Sequence, residues 1–257
     1  MPSLRRKPPT REPKRRFTIF CEGRNTEPAY FRALQRNVAN ALIDLVIEPA
    51  AGIPFALAEQ AAARARELGI SGRTRRHRDS FEEKDEVWAV FDRDEHPRFL
   101  EAVALCSQSH IGVARSNPCF EVWLVLHETA YDRPDDRHQV QAYLGQLRPE
   151  YQPAGRKLPD CADLLTRIAA AETRAEAQLQ RRDAAGDALG RPSTTVFHLT
   201  RAIREAANES ACRGRERLRG DSAWNDALWM RVGEVAAAWF ASEIEAGSAH
   251  DAWRLLP

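Results

Sequence analysis

The chain has 257 residues, a formal net charge of +1 and 43% hydrophobic residues, so it can bury a sizeable core and carries no chain-wide attraction for polyanions. Its five cysteines (Cys21, Cys106, Cys119, Cys161, Cys212) are scattered and never form a Cys-x-x-Cys pair, which argues against a disulfide framework and a structural zinc module. No apolar run approaches a membrane span and the basic N-terminus lacks the apolar core of a signal peptide, so a cytoplasmic protein with reduced thiols and no membrane partner is expected.

Residues 1–16 hold Arg5, Arg6, Lys7, Arg11, Lys14, Arg15 and Arg16 among several prolines. They read as a disordered basic arm, either touching phosphates through charge or simply solvated. Phe17 to Cys21 form a first strand, β-branched and aromatic, that ends in Glu22-Gly23; Gly23 lets the backbone turn sharply, with positive φ if needed. Thr26-Glu27-Pro28 opens a helix with Thr26 as N-cap and Pro28 in the first turn, and Tyr30, Phe31, Leu34 and Val38 form its buried face. Residues 41–48 read as a second strand, and Pro54 starts a second helix that Gly69 stops. A polar loop over residues 71–84 then carries Arg73, Arg75, Arg76 and Arg78, either a solvated charge run or a contact for nucleic-acid phosphates.

The next stretch organises the chain. Val87 to Phe91 is uninterrupted by polar residues and reads as a buried strand, and it stops at Asp92-Arg93-Asp94-Glu95-His96. Ligands in open α/β sheets sit at the carboxyl edge of the strands. Residues i and i+2 of an extended chain point the same way, so Asp92 and Asp94 can face one pocket. Paired carboxylates need a cation or a shared proton, and oxygen ligands suit Mg²⁺. A polar turn closing a strand is the plainer alternative. Glu22 repeats the pattern, as an acid at the end of an apolar strand.

Pro97 opens a third helix, from Arg98 to about Ser109, and Ile111 to Arg115 is a fourth strand. Ser116-Asn117-Pro118 reads as a helix start, with Asn117 as N-cap and Pro118 at the first helical position. The helix from Cys119 to His127 is apolar nearly all round except for Glu121. A glutamate there needs a partner, either a nearby arginine or a catalytic role. Asn117 and Glu121 share a face at an end that favours anions, which makes Asn117 a candidate nucleic-acid contact. His127 is expected to pack under Phe120. Strand–helix alternation to Tyr131 implies a parallel sheet with right-handed crossovers. Beyond Asp132 the pattern is mostly helical: residues 140–147, 162–180 and a helix begun at Pro192. A basic linker over 214–220 follows, and Trp224, Trp229, Trp239 and Phe240 suggest a last packed helix or two.

The runs Cys21-Glu22-Gly23-x-x-Thr26-Glu27-Pro28-x-Tyr30-Phe31, Phe91-Asp92-x-Asp94-x-His96 and Ser116-Asn117-Pro118-x-Phe120-Glu121-x-Trp123-Leu124-x-x-His127 together resemble the RloB family, itself similar to the toprim superfamily. The resemblance implies an α/β fold, a toprim-like parallel sheet flanked by helices, over 17–131; the mostly helical pattern after Asp132 adds a C-terminal region over 132–257 expected to pack on it. It implies that Glu22, Asp92 and Asp94 hold Mg²⁺ or Mn²⁺ for phosphodiester chemistry, with Glu121 orienting a second ion or a water. It also implies nucleic acid (DNA or RNA, transfer RNA included) as substrate, a role in phage defence and an ABC-type ATPase partner. The resemblance would place an asparagine before Pro192; Arg191 stands there instead, so the resemblance assigns no role to that position.

Two further readings stand beside a nuclease. One is a toprim-like binding subunit that docks on the ATPase and contacts nucleic acid without cutting it. The other is a haloacid-dehalogenase-type phosphatase, which also uses Asp-x-Asp. There, however, the motif follows the first strand and continues to Thr or Val, whereas here it follows the third and continues to Glu95-His96.

Overall fold

The computed structural model describes residues 14–39, 43–49, 52–70, 85–93, 98–152 and 159–220, with the backbone alone for 213–220. Arg73, Arg75, Arg76, Arg78, Asp94 and the aromatic residues from Trp224 onward lie outside the described residues. The chain divides into two compact units, Met1–Asn208 and Glu209–Pro257, and the fold below is that of the first.

The elements run β1 (Arg15–Cys21), α1 (Thr26–Asn37), β2 (Ile43–Glu48), α2 (Pro54–Glu67), β3 (Glu86–Asp92), α3 (Phe99–Gln108), β4 (Gly112–Asn117), α4 (Glu121–Glu128), α5 (Arg137–Leu147), α6 (Cys161–Leu165), α7 (Ile168–Ala184), β5 (Ser193–Thr194) and α8 (Val196–Gly220). The sheet has the order β2-β1-β3-β4-β5. β1 to β4 are parallel, and β5 joins β4 antiparallel through Ser116–Thr194 and Asn117–Ser193. The protein is therefore α/β, with a mostly parallel sheet covered by helices.

Side-chain alternation along the strands builds a core on each face. Phe17, Ile19 and Cys21 of β1 and Val90 of β3 join Tyr30, Phe31 and Leu34 of α1, Trp123 and Leu126 of α4, and the apolar faces of α5 to α8 as far as Ala206. Phe20 of β1 and Val87, Ala89 and Phe91 of β3 turn the other way, onto Leu57, Ala58, Ala61 and Ala65 of α2 and Phe99, Ala102 and Cys106 of α3. The alanine stripe lets α2 lie close to the sheet. Gly112 is needed for close approach too, because a Cβ there would strike the Trp88 ring.

Several elements differ from the sequence reading. Arg15 and Arg16 belong to β1 rather than to a basic arm, because acids meet them: Arg15 pairs with Glu86, and Arg16 Nε donates to Asp44 at 2.9 Å. Thr26 is the first residue of α1, and Asn25 before it makes no side-chain cap. The helix expected from Asn117 starts later, because Ser116 and Asn117 are held in β4 by pairing with β5, and Phe120 takes the N-cap position. The helix expected over 162–180 breaks between α6 and α7, where Arg167 donates to both Glu128 (2.9 Å) and Asp163 (2.7 Å). The basic linker over 214–220 is instead the end of α8, since its Arg, Glu and Leu residues are good helix formers that outweigh Gly214.

His127 is fully buried, but its ring packs edge-on against Tyr30 and Trp123, and it is Tyr30 that meets Phe120. Nδ1 lies 2.9 Å from the Trp123 carbonyl, which can only accept, so the proton sits on Nδ1 and Nε2 accepts from the Tyr30 hydroxyl at 3.1 Å. Burial pushes the imidazole down to about 4. Its contribution to stability is thus intact above its ordinary value of about 6.5 and is lost as pH falls toward 4. Tyr30→Phe leaves Nε2 buried and unsatisfied, and should cost about 1–3 kcal/mol in urea denaturation at pH 7; unchanged stability would refute this hydrogen bond.

Candidate active site

The strand order places the site. β1 leads outward to β2, and the chain then crosses back to β3 on the other side of β1. α1 packs on one face of the sheet, while α2 and α3 pack on the other. The carboxyl ends of β1 and β3 thus form the switch point where open α/β sheets leave a crevice. The ladder continues past the strand ends: Glu22 N donates to Val90 O at 3.0 Å, and Arg93 N donates to Ser116 O at 2.6 Å. Between them, Asp92 N donates to Glu22 Oε2 at 2.9 Å, across 70 residues of sequence. Glu22 and Asp92, singled out as strand-end acids, stand side by side.

Two further acids complete the group. Glu27, in the first turn of α1, is 6% exposed, and its Oε1 accepts from Gly23 N at 3.2 Å. This contact explains Gly23. Its φ is not positive; instead, a Cβ at position 23 would overlap the Glu27 carboxylate. Glu121 opens α4 at 7% exposure, and its Oε1 accepts from the Tyr151 hydroxyl at 2.8 Å and from Gln141 Nε2 at 3.3 Å. Burial and the charges of Glu27, Glu121 and Glu22 push Asp92 well above the ordinary carboxylate range, while Arg137 pulls it down. Burial, together with Glu121 and Glu22, raises Glu27 to about 7, against hydrogen bonds that lower it. Four carboxylates from β1, α1, β3 and α4 therefore feel one another in a partly desolvated crevice, where like charges are costly.

Arg137 is the first residue of α5, and its Nη2 lies 3.1 Å from Asp92 Oδ2. The helix start that carries it is fixed by a capping box: Gln139 N donates to Asp136 Oδ1 and Asp136 N donates to Gln139 Oε1, both at 2.9 Å. The sequence reading missed Glu27, Arg137, Gln141 and Tyr151. An acid in a first helical turn is commonplace, and only the neighbouring Gly23 hinted at a tight contact. Nothing in the spacing of α5 pointed to the acids.

Of the residues singled out, Glu22, Asp92 and Glu121 come together, and Asp94 lies outside the described residues. Asn117, expected as a helix cap and a nucleic-acid contact, is 5% exposed and ends β4, with its Nδ2 donating to Leu189 O at 2.6 Å. Arg93 donates to the same carbonyl, and Arg115 Nη2 donates to Ala188 O at 2.7 Å. These side chains tie β3 and β4 to the segment before β5. Among the described residues, no three His, Cys, Asp or Glu side chains are grouped closely enough to hold a metal ion. The donor set nevertheless fits a hard cation: it is all oxygen and carries excess negative charge, and Mg²⁺ takes only one or two protein carboxylates and keeps several waters.

The raised Glu27 carboxyl makes a pH-dependent prediction. A carboxyl whose folded value lies above its unfolded value favours folding at low pH; that contribution fades as pH rises from about 4.5 to about 7. Without divalent ions, Glu27→Gln should therefore stabilise the protein by about 1–3 kcal/mol at pH 8 and change little at pH 4.5. Thermal unfolding at both values checks it; equal effects at the two would show that Glu27 is not held among like charges.

The sequence matches the RloB-like protein family over residues 17–203. No curated protein and no solved structure matches it. The match spans β1 through the first turns of α8, and so takes in all four acids as well as Arg137 and Tyr151. The chain belongs to the RloB-like family.

Proposed function

We propose that the protein is a divalent-metal-dependent nuclease that hydrolyses phosphodiester bonds in DNA or RNA, transfer RNA included. The observation that carries this reading is the convergence of Glu22, Glu27, Asp92 and Glu121 at the switch point of the sheet, with Glu22 bonded to the backbone of Asp92. The toprim resemblance supports it, since Glu22, Asp92 and Asp94 stand where that superfamily carries its acids. Glu22 and Asp92 would hold the ion, Mg²⁺ or Mn²⁺, and the toprim resemblance adds Asp94 to that set. When bound, the ion would neutralise the scissile phosphate and make a bound water more acidic. In this reading Glu22 would ligate the metal or act as general base or acid. Glu121, oriented by Tyr151 and Gln141, can fix a water or a second ion.

The resemblance further supports a role as effector in phage defence beside an ABC-type ATPase. A second reading, a subunit that binds nucleic acid without cutting it, is favoured by Arg137, which already brings a positive charge to Asp92.

Asp92→Asn and Glu22→Gln should each lower Mg²⁺- or Mn²⁺-dependent cleavage of labelled DNA or RNA by about 10²- to 10⁴-fold, with the fold retained in circular dichroism. Cleavage by the double variant at the wild-type rate would refute the assignment. No cleavage by the wild-type protein with its ATPase, across DNA and RNA, would leave the binding subunit as the better reading.

A further inference from the structure

Resting on the nuclease reading, we propose that Arg93 and Arg115 form a subsite for a second phosphodiester of the substrate strand, across the rim of the sheet from the acids. Asp92 and Arg93 are consecutive in an extended chain, so their side chains leave opposite faces of the sheet. Asp92 meets Arg137 of α5, on the side of α1 and α4. The Arg93 guanidinium lies on the other side, 5.9 Å from the centre of the Phe99 ring of α3. Arg115 takes the same side as Arg93, because Val113 packs among the α2 and α3 side chains while Ala114 packs on the side of α1. Two guanidiniums from neighbouring strands thus stand together at the carboxyl edge, behind the acids.

Their charge is what needs an explanation. Arg115 is 8% exposed, and arginine is almost never buried so far unless paired. Among the described residues neither arginine has an ion-pair partner. Arg115 Nη1 donates to Ser193 Oγ at 3.2 Å and Nη2 to Ala188 O at 2.7 Å, and Arg93 donates to Leu189 O; all three acceptors are neutral. Burial and the charge of Arg93 push Arg115 down, against a smaller pull from Asp183. A tether to the segment before β5 needs no charge, since the Asn117 amide already supplies one to the same Leu189 carbonyl. Charge kept here at a cost fits an anion that arrives with the ligand. Neither side chain has to move to meet it. Arg93 Nε and Nη2 and Arg115 Nε make no hydrogen bond among the described residues, yet none is sealed from solvent as Arg137 Nε is. Planar forks of N–H groups suit phosphate oxygens. A strand laid over the rim would put one phosphate at the acids and a neighbouring one at the arginines, a contact that positions nucleic acid without reading its sequence.

The test uses the full chain in EDTA, so that metal chemistry plays no part. Binding of a fluorescein-labelled single strand, DNA in one arm and RNA in the other, is followed by anisotropy across a salt series. Arg93→Gln removes the charge but keeps a donor for the Leu189 carbonyl, and Arg93→Lys keeps the charge. Arg64→Gln, on the far helix α2, controls for a general loss of positive charge. The wild type should bind at least one of the two strands. Arg93→Gln should weaken that binding by about fivefold and flatten the dependence of log affinity on log salt by about 0.7, the share of one phosphate contact. Arg93→Lys should restore the slope, and Arg64→Gln should behave as the wild type. Arg115→Gln should flatten the slope like Arg93→Gln while unfolding at no lower temperature than the wild type, because an unpaired buried charge has gone. A slope unchanged in Arg93→Gln, or flattened equally in Arg64→Gln, overturns the subsite, as does a wild type that binds neither strand. Each of these results leaves metal-dependent cleavage, and with it the nuclease reading, to its own measurement.

Discussion

One hydrogen bond joins the fold to the site: the Asp92 amide donating to the Glu22 carboxylate at 2.9 Å. It is made possible by a topological fact, that β1 and β3 are neighbours while the chain between them has gone out to β2 and returned. One bond past the end of β1 the ladder between β1 and β3 gives out, and there a side chain replaces a carbonyl as acceptor. A charged acceptor makes this bond stronger than an ordinary ladder bond, and it fixes Glu22 relative to Asp92 before any ligand arrives. The remaining acids are arranged around that pair.

Those acids come at a cost in stability. Carboxylates rarely go below a tenth exposed without a partner, yet Glu27, Asp92 and Glu121 do so close together. Part of the cost is met by neutral donors, the Tyr151 hydroxyl, the Gln141 amide and the Gly23 backbone. Arg137 offsets another part. The rest shows as raised proton affinity on Asp92 and Glu27, a pattern that clusters at functional sites. Glu172, buried elsewhere in the molecule, has a fuller set of partners: it accepts from the Thr200 hydroxyl at 2.9 Å and pairs with Arg204, although burial still raises its carboxyl.

Much of this could be read from the chain alone because the two runs that become the central strands are largely β-branched or aromatic and nearly all apolar, Thr18 being their one polar residue. Phe17 to Cys21 and Val87 to Phe91 announce buried parallel strands, and an acid directly after each then falls at the ligand-binding edge by topology alone. The rest was illegible for identifiable reasons. β5 is only two residues long and holds through the Ser116–Thr194 hydroxyl pair at 3.0 Å rather than through an apolar pattern. β4 runs through Ser116 and Asn117 because of that distant partner, which overrides the local helix-start signal. Arg137 looks like any arginine at the start of a polar helix, and its meaning depends on a residue 45 positions away. Glu27 resembles a routine first-turn acid until its overlap with any side chain at position 23 is seen.

The acids and their compensating groups are divided along the polymer. Glu22, Glu27, Asp92 and Glu121 are all present once synthesis has passed α4, whereas Arg137, Gln141 and Tyr151 follow later. A nascent or clipped chain ending at Tyr131 would therefore own every acid of the crevice with no guanidinium to quiet Asp92 and no phenol to hold Glu121. Such a fragment would hold a cluster of uncompensated anions rather than a smaller version of the site, so the helices after Tyr131 complete the acid group and are not an appendage to it.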